Sequence, residues 1–445
     1  MNNKSVICEQ NATKLHVTRV GCGQAFLVSS VRSPADAAQA AWESYIQIAG
    51  ILREDGLEMV HERIFGSLSV EPSVMAARHR ALRTCGIPPD NPVTYIQGNP
   101  PWGEGLTGTI IHAVSSSSPD DIWTIMDGED PCGRGWRRHG STYLVLQNIS
   151  GKQCSSGENG NRSLHVRQML DWAERILRDN GALYGDVVRT WFYLSDILDW
   201  YASFNKVRNE KYGELGIMPG PGDGDLLLPA STGIRGYTHS GAVATMDLIA
   251  IIGEPGNRPT VKQLTNTAQL DAFRYGSAFS RGALIQYPDV SLIEVSGTAS
   301  IDQRGKSQFV GDICGQINCT FEKIEELLGN GGVDLGDIVA ATVFVKRPEY
   351  AGVFREMARE RGLEEFPAVC VVADVCREEL LFEIASGRVH CGKLCYPAYA
   401  TSSVQKVLQL SLQVIHLLGI PQYSSKNTLL LFGLFKPSNT LHGCV

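Results

Sequence analysis

Glu383, in "LLFEIA", sits between Phe382 and Ile384 on an apolar run. On an extended strand, alternation sends the two apolar side chains to one face and the carboxylate to the other. That second face is either solvent or a cleft. In a cleft, desolvation disfavours the charged form and raises the carboxyl pKa toward general-acid work. Two arginines are candidate grips for an acidic ligand: Arg281 in "AFSRG", at the start of a strand, and Arg208 in "FNKVRNEKYG", on a helical pattern where a solvated Arg is common. A guanidinium presents a planar fork of donors that matches a carboxylate. Tyr212 and Tyr275 can either close a pocket over a ring or serve as packing.

A second stretch that could do chemistry is "EVSGTASIDQRGKSQFVGD", Glu294 to Asp312. Branched residues at Val290, Leu292, Ile293 and Val295 predict a strand that ends at Ser296-Gly297. Beyond it, Thr298 and Ser300 place two small hydroxyls beside a glycine that leaves room for close backbone approach. Such a corner is either a plain turn or a pocket wall. Cys370 and Cys376 flank a turn at Asp374, and apolar neighbours make Cys370 a core thiol.

These groups need a folded frame, and the composition supplies one. The chain has 445 residues, 43% hydrophobic and 20% charged, too long for one small core, so two or three modules are expected. Its net charge of -7 and lack of a Lys/Arg block argue against nucleic acid as a partner. The twelve cysteines are scattered without paired C-x-x-C spacing, which predicts thiols, no metal and no other cofactor. The N-terminal "MNNKSVICEQNATK" has no apolar core to act as a signal, and the expectation is a cytoplasmic protein.

The elements repeat. "RQMLDWAERILRDNGALYGDVVRTWFYLSDI" begins with Met169, Leu170, Trp172, Ala173, Ile176 and Leu177 at helical spacing, stops at Asn180-Gly181, and continues as a strand through Val187, Val188, Trp191, Tyr193 and Leu194. A helix follows in "DILDWYASFNKVRNEKYGEL". The same order recurs in "GQINCTFEKIEELLGNGGVDLGDIVAATVFVKRPEYAGVFREMARERG", where Gly336-Asp337 repeats Gly185-Asp186. Each copy then reaches a Pro-Ala start, "LPASTGIRG" and "FPAVCVVAD", and a closing strand, "AVATMDLIAII" and "LLFEIA". The earlier copy carries about thirteen more residues between these landmarks, a Pro/Gly loop "GIMPGPGDGD". A fainter copy precedes both: helix "PADAAQAAWESYIQIAGILREDG", strand "LEMVHERIF", helix "SVMAARHRALRTCG", and the pair "PVTYIQG" and "GTIIHAV". A repeat of about one hundred residues is a small α+β domain, not a solenoid turn.

This order resembles the RidA/YjgF superfamily, whose α+β, chorismate mutase-like domains assemble as trimers with ligand sites between neighbours. The likeness covers roughly residues 20 to 391, strongest from about 141 onward. Within that superfamily the last two copies are similar to chorismatases of the FkbO type, through "VVRTWFYLSDI", "LPASTGI", "AFSR", "VSGTASI", "VGD" and "CREELLFEI". The resemblance implies a degenerate domain at 20–120, domains at 141–255 and 272–391, and an internal pseudo-trimer that can stand as a monomer. It further implies that Gly297, Thr298, Ala299 and Ser300 line a cleft floor and that Glu383 is the catalytic acid. The ligand would be a small carboxylate-bearing metabolite.

Two departures bear on chemistry. Single-domain RidA deaminases carry an Arg two residues after the strand Pro; here those positions are Val369, Ser231 and Thr94, which weighs against imine deamination. Chorismatases typically follow "GTASI" with a His-containing stretch, whereas this chain has "DQRGKSQFVGD". Three readings stand: a chorismatase-like hydrolase, an enamine/imine deaminase, and a non-catalytic ligand-binding or scaffold protein. Residues 392–445, with "SSVQKVLQLSLQVIHLLGI" and "TLLLFGLF", lack the eighteen or so apolar residues of a membrane span and read as an appendage of uncertain order.

Overall fold

The computed structural model describes residues 5–391 except 22, 152–161, 219–227, 254–257, 266–271, 288–289 and 331. Most of the Pro/Gly loop and the whole appendage read from the sequence lie outside the described residues. The first module contains β1 (Ser5–Gln10), β2 (Thr13–Val20), β3 (Gln24–Val31), α1 (Ala37–Asp55), β4 (Leu57–Gly66), α2 (Glu71–Thr84), β5 (Thr94–Gln97) and β6 (Leu106–Ser115). The second contains β7 (Ile122–Asp127), β8 (Asp130–Arg138), β9 (Ser141–Ser150), α3 (Arg162–Asp179), β10 (Val187–Leu194), α4 (Ile197–Glu214), β11 (Ala230–Arg235) and β12 (Ala244–Gly253). The third contains β13 (Thr260–Leu264), β14 (Gly282–Gln286), β15 (Val290–Ala299), α5 (Ile313–Gly329), β16 (Ile338–Val345), α6 (Tyr350–Glu360), β17 (Ala368–Val372) and β18 (Phe382–Cys391).

One topology serves all three. The sheets run β1-β2-β3-β6-β4-β5, β7-β8-β9-β12-β10-β11 and β13-β14-β15-β18-β16-β17. In each, the pair β4–β5, β10–β11 or β16–β17 is parallel, and its crossover is a helix, as parallel strands require. Helix ends follow local chemistry. Asp36 caps α1 by accepting from the Gln39 N–H, Gly56 closes it in the left-handed region, and Gly181 at φ +77° turns the chain after α3.

Strand alternation divides the apolar residues between two kinds of core. On β10, Phe192 and Leu194 face the module's own helices together with Met169, Leu170 and Ile176. Val188, Trp191 and Tyr193 face the other way, into a core shared by all three sheets that includes Val28 and Phe65, Trp136 and Tyr143, and Ile285 and Phe344. The architecture is therefore three α+β modules packed sheet face to sheet face with helices outside, an internal pseudo-trimer as the resemblance implies.

Polar contacts pin the modules together. Asp247 on β12 accepts from the Thr94 hydroxyl at 2.6 Å and meets His61 Nε2 at 3.0 Å. Ser231 N donates to Ser296 Oγ at 2.8 Å, Val372 N donates to Asn99 O at 2.9 Å, and Arg235 pairs with Asp374. Among the described residues no helix is long and apolar enough to cross a membrane.

Candidate active site

A cavity of about 670 Å³ lies between the second and third modules. Its walls come from α4, β11, the segment before β14, the end of β15 and the segment that ends in β18. That volume is in the range of pockets for small organic ligands.

Helix α4 supplies one wall because Leu198, Tyr201, Ala202, Asn205, Arg208 and Asn209 recur at three and four residues and so share a face. Strand β11 contributes Ser231 and Gly233, two apart and therefore on one side. Across from them the end of β15 presents Gly297, Ala299 and Ile301, again at period two. The pairing of β15 with β18 shifts between Val295 and Thr298, so Ser296 and Gly297 form a bulge that re-aims this strand end.

Glu383 stands on β18 opposite Ala299 and Phe344. Phe382 and Ile384 point into the module's own helical core, and Glu383 lies on the other face, lining the cavity at 4% exposure. Its Oε1 has no hydrogen-bond partner among the described residues. Burial pushes the Glu383 carboxyl up to about 8, against the pull of Arg189 and then Arg281. The group is accordingly a neutral acid at pH 7.

Two buried guanidiniums face the same space. Arg281 and Arg208 both line the cavity, with their Cζ atoms 5.4 and 5.5 Å from the centre of the Phe279 ring. Arg208 is held by Asn205, whose Oδ1 accepts from Nη2 at 2.7 Å, and by the Phe204 ring at 5.2 Å; its Nε has no partner among the described residues. A cation–π bed orients such a group without neutralising it.

The residues named from the sequence divide. Glu383, Arg281, Arg208, Gly297 and Ala299 come together at the cavity. Thr298 and Ser300 turn the other way: the Thr298 hydroxyl donates to Ser296 O at 2.9 Å and the Ser300 hydroxyl to Gln308 O at 3.3 Å, because alternate residues on a strand point to opposite faces. Tyr212 is fully buried against Tyr184, ring centroids 5.4 Å apart, and does not reach the cavity wall. The side chain of Tyr275 lies outside what the structure describes.

Sequence reasoning passed over Tyr201, Asn205, Ser231, Gly233, Phe279 and Cys376 as lining residues. Period-two reading of "ASTGI" would have found Ser231 and Gly233, and helical spacing from Arg208 would have found Asn205 and Tyr201. Burial pushes the Cys376 thiol up to about 12, with Glu383 adding to the effect, so it is no thiolate nucleophile at neutral pH. Among the described residues no cluster of three or more His, Cys, Asp or Glu could hold a metal ion.

Residues 277–386 match the family model described as endoribonuclease L-PSP, the RidA/YjgF domain. A 3-hydroxybenzoate synthase of Streptomyces hygroscopicus is 27% identical over 228 residues, 45% of this chain and 63% of that protein. The chain thus matches somewhat under two thirds of that curated relative's length. The crystal structure of a chorismatase superposes with a TM-score of 0.53 at 20% identity, covering 74% of this chain and 92% of that one, a likeness of fold. A putative endoribonuclease from Thermotoga maritima is 22% identical with a TM-score of 0.25, covering 29% of this chain and 98% of that one. The third module thus carries a match to the RidA/YjgF domain, the same topology is repeated in all three modules, and the fold is that of a chorismatase.

Proposed function

We propose that the cavity between the second and third modules binds a small carboxylate-bearing cyclic metabolite and hydrolyses an enol ether on it, as chorismatases do, releasing pyruvate. The observation that carries this reading is a buried carboxyl, Glu383, whose desolvation favours the protonated form, lining the same cavity as two buried guanidiniums. An enol ether is cleaved by protonation at carbon, which needs an acid that keeps its proton at neutral pH and is shielded from water.

In this scheme Arg281 and Arg208 hold carboxylate oxygens of the ligand. Glu383 gives its proton to the terminal carbon of the double bond, whose π electrons form the new C–H bond and leave an oxocarbenium centre. Water adds at that centre and returns a proton to the Glu383 carboxylate. The hemiketal then breaks its C–O bond to the ring, its hydroxyl proton passes to the departing alcohol oxygen, and pyruvate leaves.

The deaminase reading is less favoured because Val369, Ser231 and Thr94 occupy the positions where an Arg clamp would stand. The test is incubation of the pure protein with chorismate and an assay for pyruvate. The name of the matched 3-hydroxybenzoate synthase makes 3-hydroxybenzoate a second product to assay. Pyruvate release above the uncatalysed rate supports the reading; tight binding of chorismate without turnover leaves a ligand-binding protein. Ammonia from imines generated in situ would favour the deaminase.

A further inference from the structure

Behind the cavity wall, between the second and third modules, lies Arg189 of β10. Its guanidinium is 1% exposed and does not line the cavity. Nη2 donates to Thr232 Oγ1 at 2.7 Å, whereas Nε and Nη1 have no hydrogen-bond partner among the described residues. Thr232 is the link toward the site. Its Cγ2 lies 3.4 Å from where a Cβ on Gly297 would stand, and the Glu383 carboxyl carbon lies 2.9 Å from that same point. Thr232, which holds Arg189, and Glu383 thus meet at the backbone of Gly297, with Arg189 off the cavity lining.

The other neighbours of Arg189 include two charged groups and a ring. Glu294, on β15 of the third module, approaches Nε with Oε2 at 3.6 Å, too long for a hydrogen bond but close enough for an ion pair. Arg63 of the first module shares the Trp191 ring with Arg189, their Cζ atoms 4.4 and 4.5 Å from its centre. Burial raises Glu294 against the pull of Arg189 and Arg63, and lowers Arg189 to about 10, still a cation at neutral pH. Desolvation thus outweighs mutual attraction for both partners, as expected of a buried pair without direct hydrogen bonds.

We propose that Arg189, sealed behind the cavity, is the standing counter-cation of the Glu383 carboxylate, and that Glu294 tempers its strength. The inference rests on the acid role given to Glu383. Arg281 cannot fill this post alone, because in the bound complex it faces the ligand's own carboxylate. Arg189 stays available through the reaction and steadies the charge left on Glu383 once the proton has gone. Besides Arg189 and Arg281, the titratable groups around Glu383 include Cys376 in the segment before β18 and Arg208 and Arg377 on the cavity wall, and those around Arg189 include Glu294, Arg63, His61 and Tyr193. Arg189 is a positioning residue in this account: it touches no substrate.

The test is a direct titration of Glu383 in the full chain, needing no turnover. Protein labelled with ¹³C at the Glu side-chain carboxyl is followed by NMR across pH, and Glu383→Gln identifies the resonance by its loss. Arg189→Met should move that titration to higher pH by about one unit or more, Arg189→Lys should restore most of it, and Glu294→Gln should move it to lower pH. Opposite signs for the two charge removals would not arise from a role in packing alone. No shift in folded Arg189→Met, or shifts of the same sign in both variants, overturns the proposal. Should Arg189→Met fail to fold, Glu294→Gln decides: a downward shift supports the inference and an unmoved titration ends it. Absence of pyruvate from chorismate would sink the hydrolase reading and leave this titration result standing.

Discussion

The carboxyl of Glu383 lies against the backbone of Gly297: a Cβ at residue 297 would stand 2.9 Å from the Glu383 carboxyl carbon and closer still to Oε1. Gly297 does not need glycine for its dihedral angles, since its φ is outside the left-handed region. It needs glycine for space at the bulge. Gly297→Ala is therefore expected to drive Glu383 off its position, lowering turnover by tenfold or more while costing about 1–3 kcal/mol by overpacking. Kinetics and urea denaturation on the same preparation check this. Unchanged turnover would show that the carboxyl position is not what the reaction needs.

Glu383→Gln keeps shape and removes the proton donor of the proposed reaction. Turnover should fall on the order of a hundredfold or more, with KM little changed. Stability responds with a definite sign. The folded-state carboxyl titrates near 8 against 4.5 for an unperturbed Glu, so the folded protein holds a proton the unfolded chain releases across that interval. Its contribution is complete below about 4.5 and lost as pH climbs through 8. The Gln variant, which does not titrate, should match wild type in melting temperature at pH 5 and exceed it at pH 9. A melting difference that is flat with pH would mean Glu383 has an ordinary pKa.

Arg281 and Arg208 share the Phe279 ring and face one cavity, so each should contribute to holding an acidic ligand. Arg281→Met and Arg208→Met are each expected to weaken binding of a carboxylate ligand by about 1.5–3 kcal/mol, roughly tenfold to a hundredfold in Kd. Tyr212→Phe, altered behind the wall, should leave Kd unchanged. Calorimetric titration with chorismate gives all three values. Equal affinity in wild type and both Arg variants removes the guanidiniums from the site.

How far the sequence carried depends on what kind of signal each feature leaves. The α3–β10–α4 run was legible because Met169, Leu170 and Ile176 keep helical spacing and Val188, Trp191 and Tyr193 keep alternation within one segment. The side of β18 that bears Glu383 was legible for the same reason: Phe382 and Ile384 fix the apolar face. Strands β1, β7 and β13 were not, because their burial is broken, nor was β8, whose buried run is Cys132-Gly133-Arg134-Gly135-Trp136 and not a branched apolar one. Along β1 exposed and intermediate residues alternate without one buried position, so no apolar run announces it. Thr298 and Ser300 drew attention for their hydroxyls, whereas the strand delivers Gly297, Ala299 and Ile301 to the cavity. Arg189 left no trace as a site residue, since its charged neighbours Glu294 and Arg63 come from the two other modules. Periodicity within an element reads from the chain; contacts between modules do not.

The joint between the first and second modules offers the last prediction. Asp247 is fully buried, and its Oδ1 accepts from both the Thr94 hydroxyl and the Asn148 N–H at 2.9 Å, while Oδ2 takes His61 Nε2. The Asn148 N–H needs that acceptor because β9 bulges here: its pairing with β12 shifts between Met246 and Leu248, and Asn148 sits at φ +54°. Burial keeps His61 below its usual pKa, so its ring is neutral and donates one N–H. Asp247→Ala would leave three donors unanswered across two modules, those of Thr94 and His61 buried, and the expected cost is about 3–5 kcal/mol in urea denaturation. Asp247→Asn, which retains one acceptor oxygen, should cost less. Affinity at the cavity between the second and third modules should stay within twofold in both, because none of these partners lines it. A loss under about 1 kcal/mol for Asp247→Ala would mean water replaces the carboxylate and the joint does not depend on it.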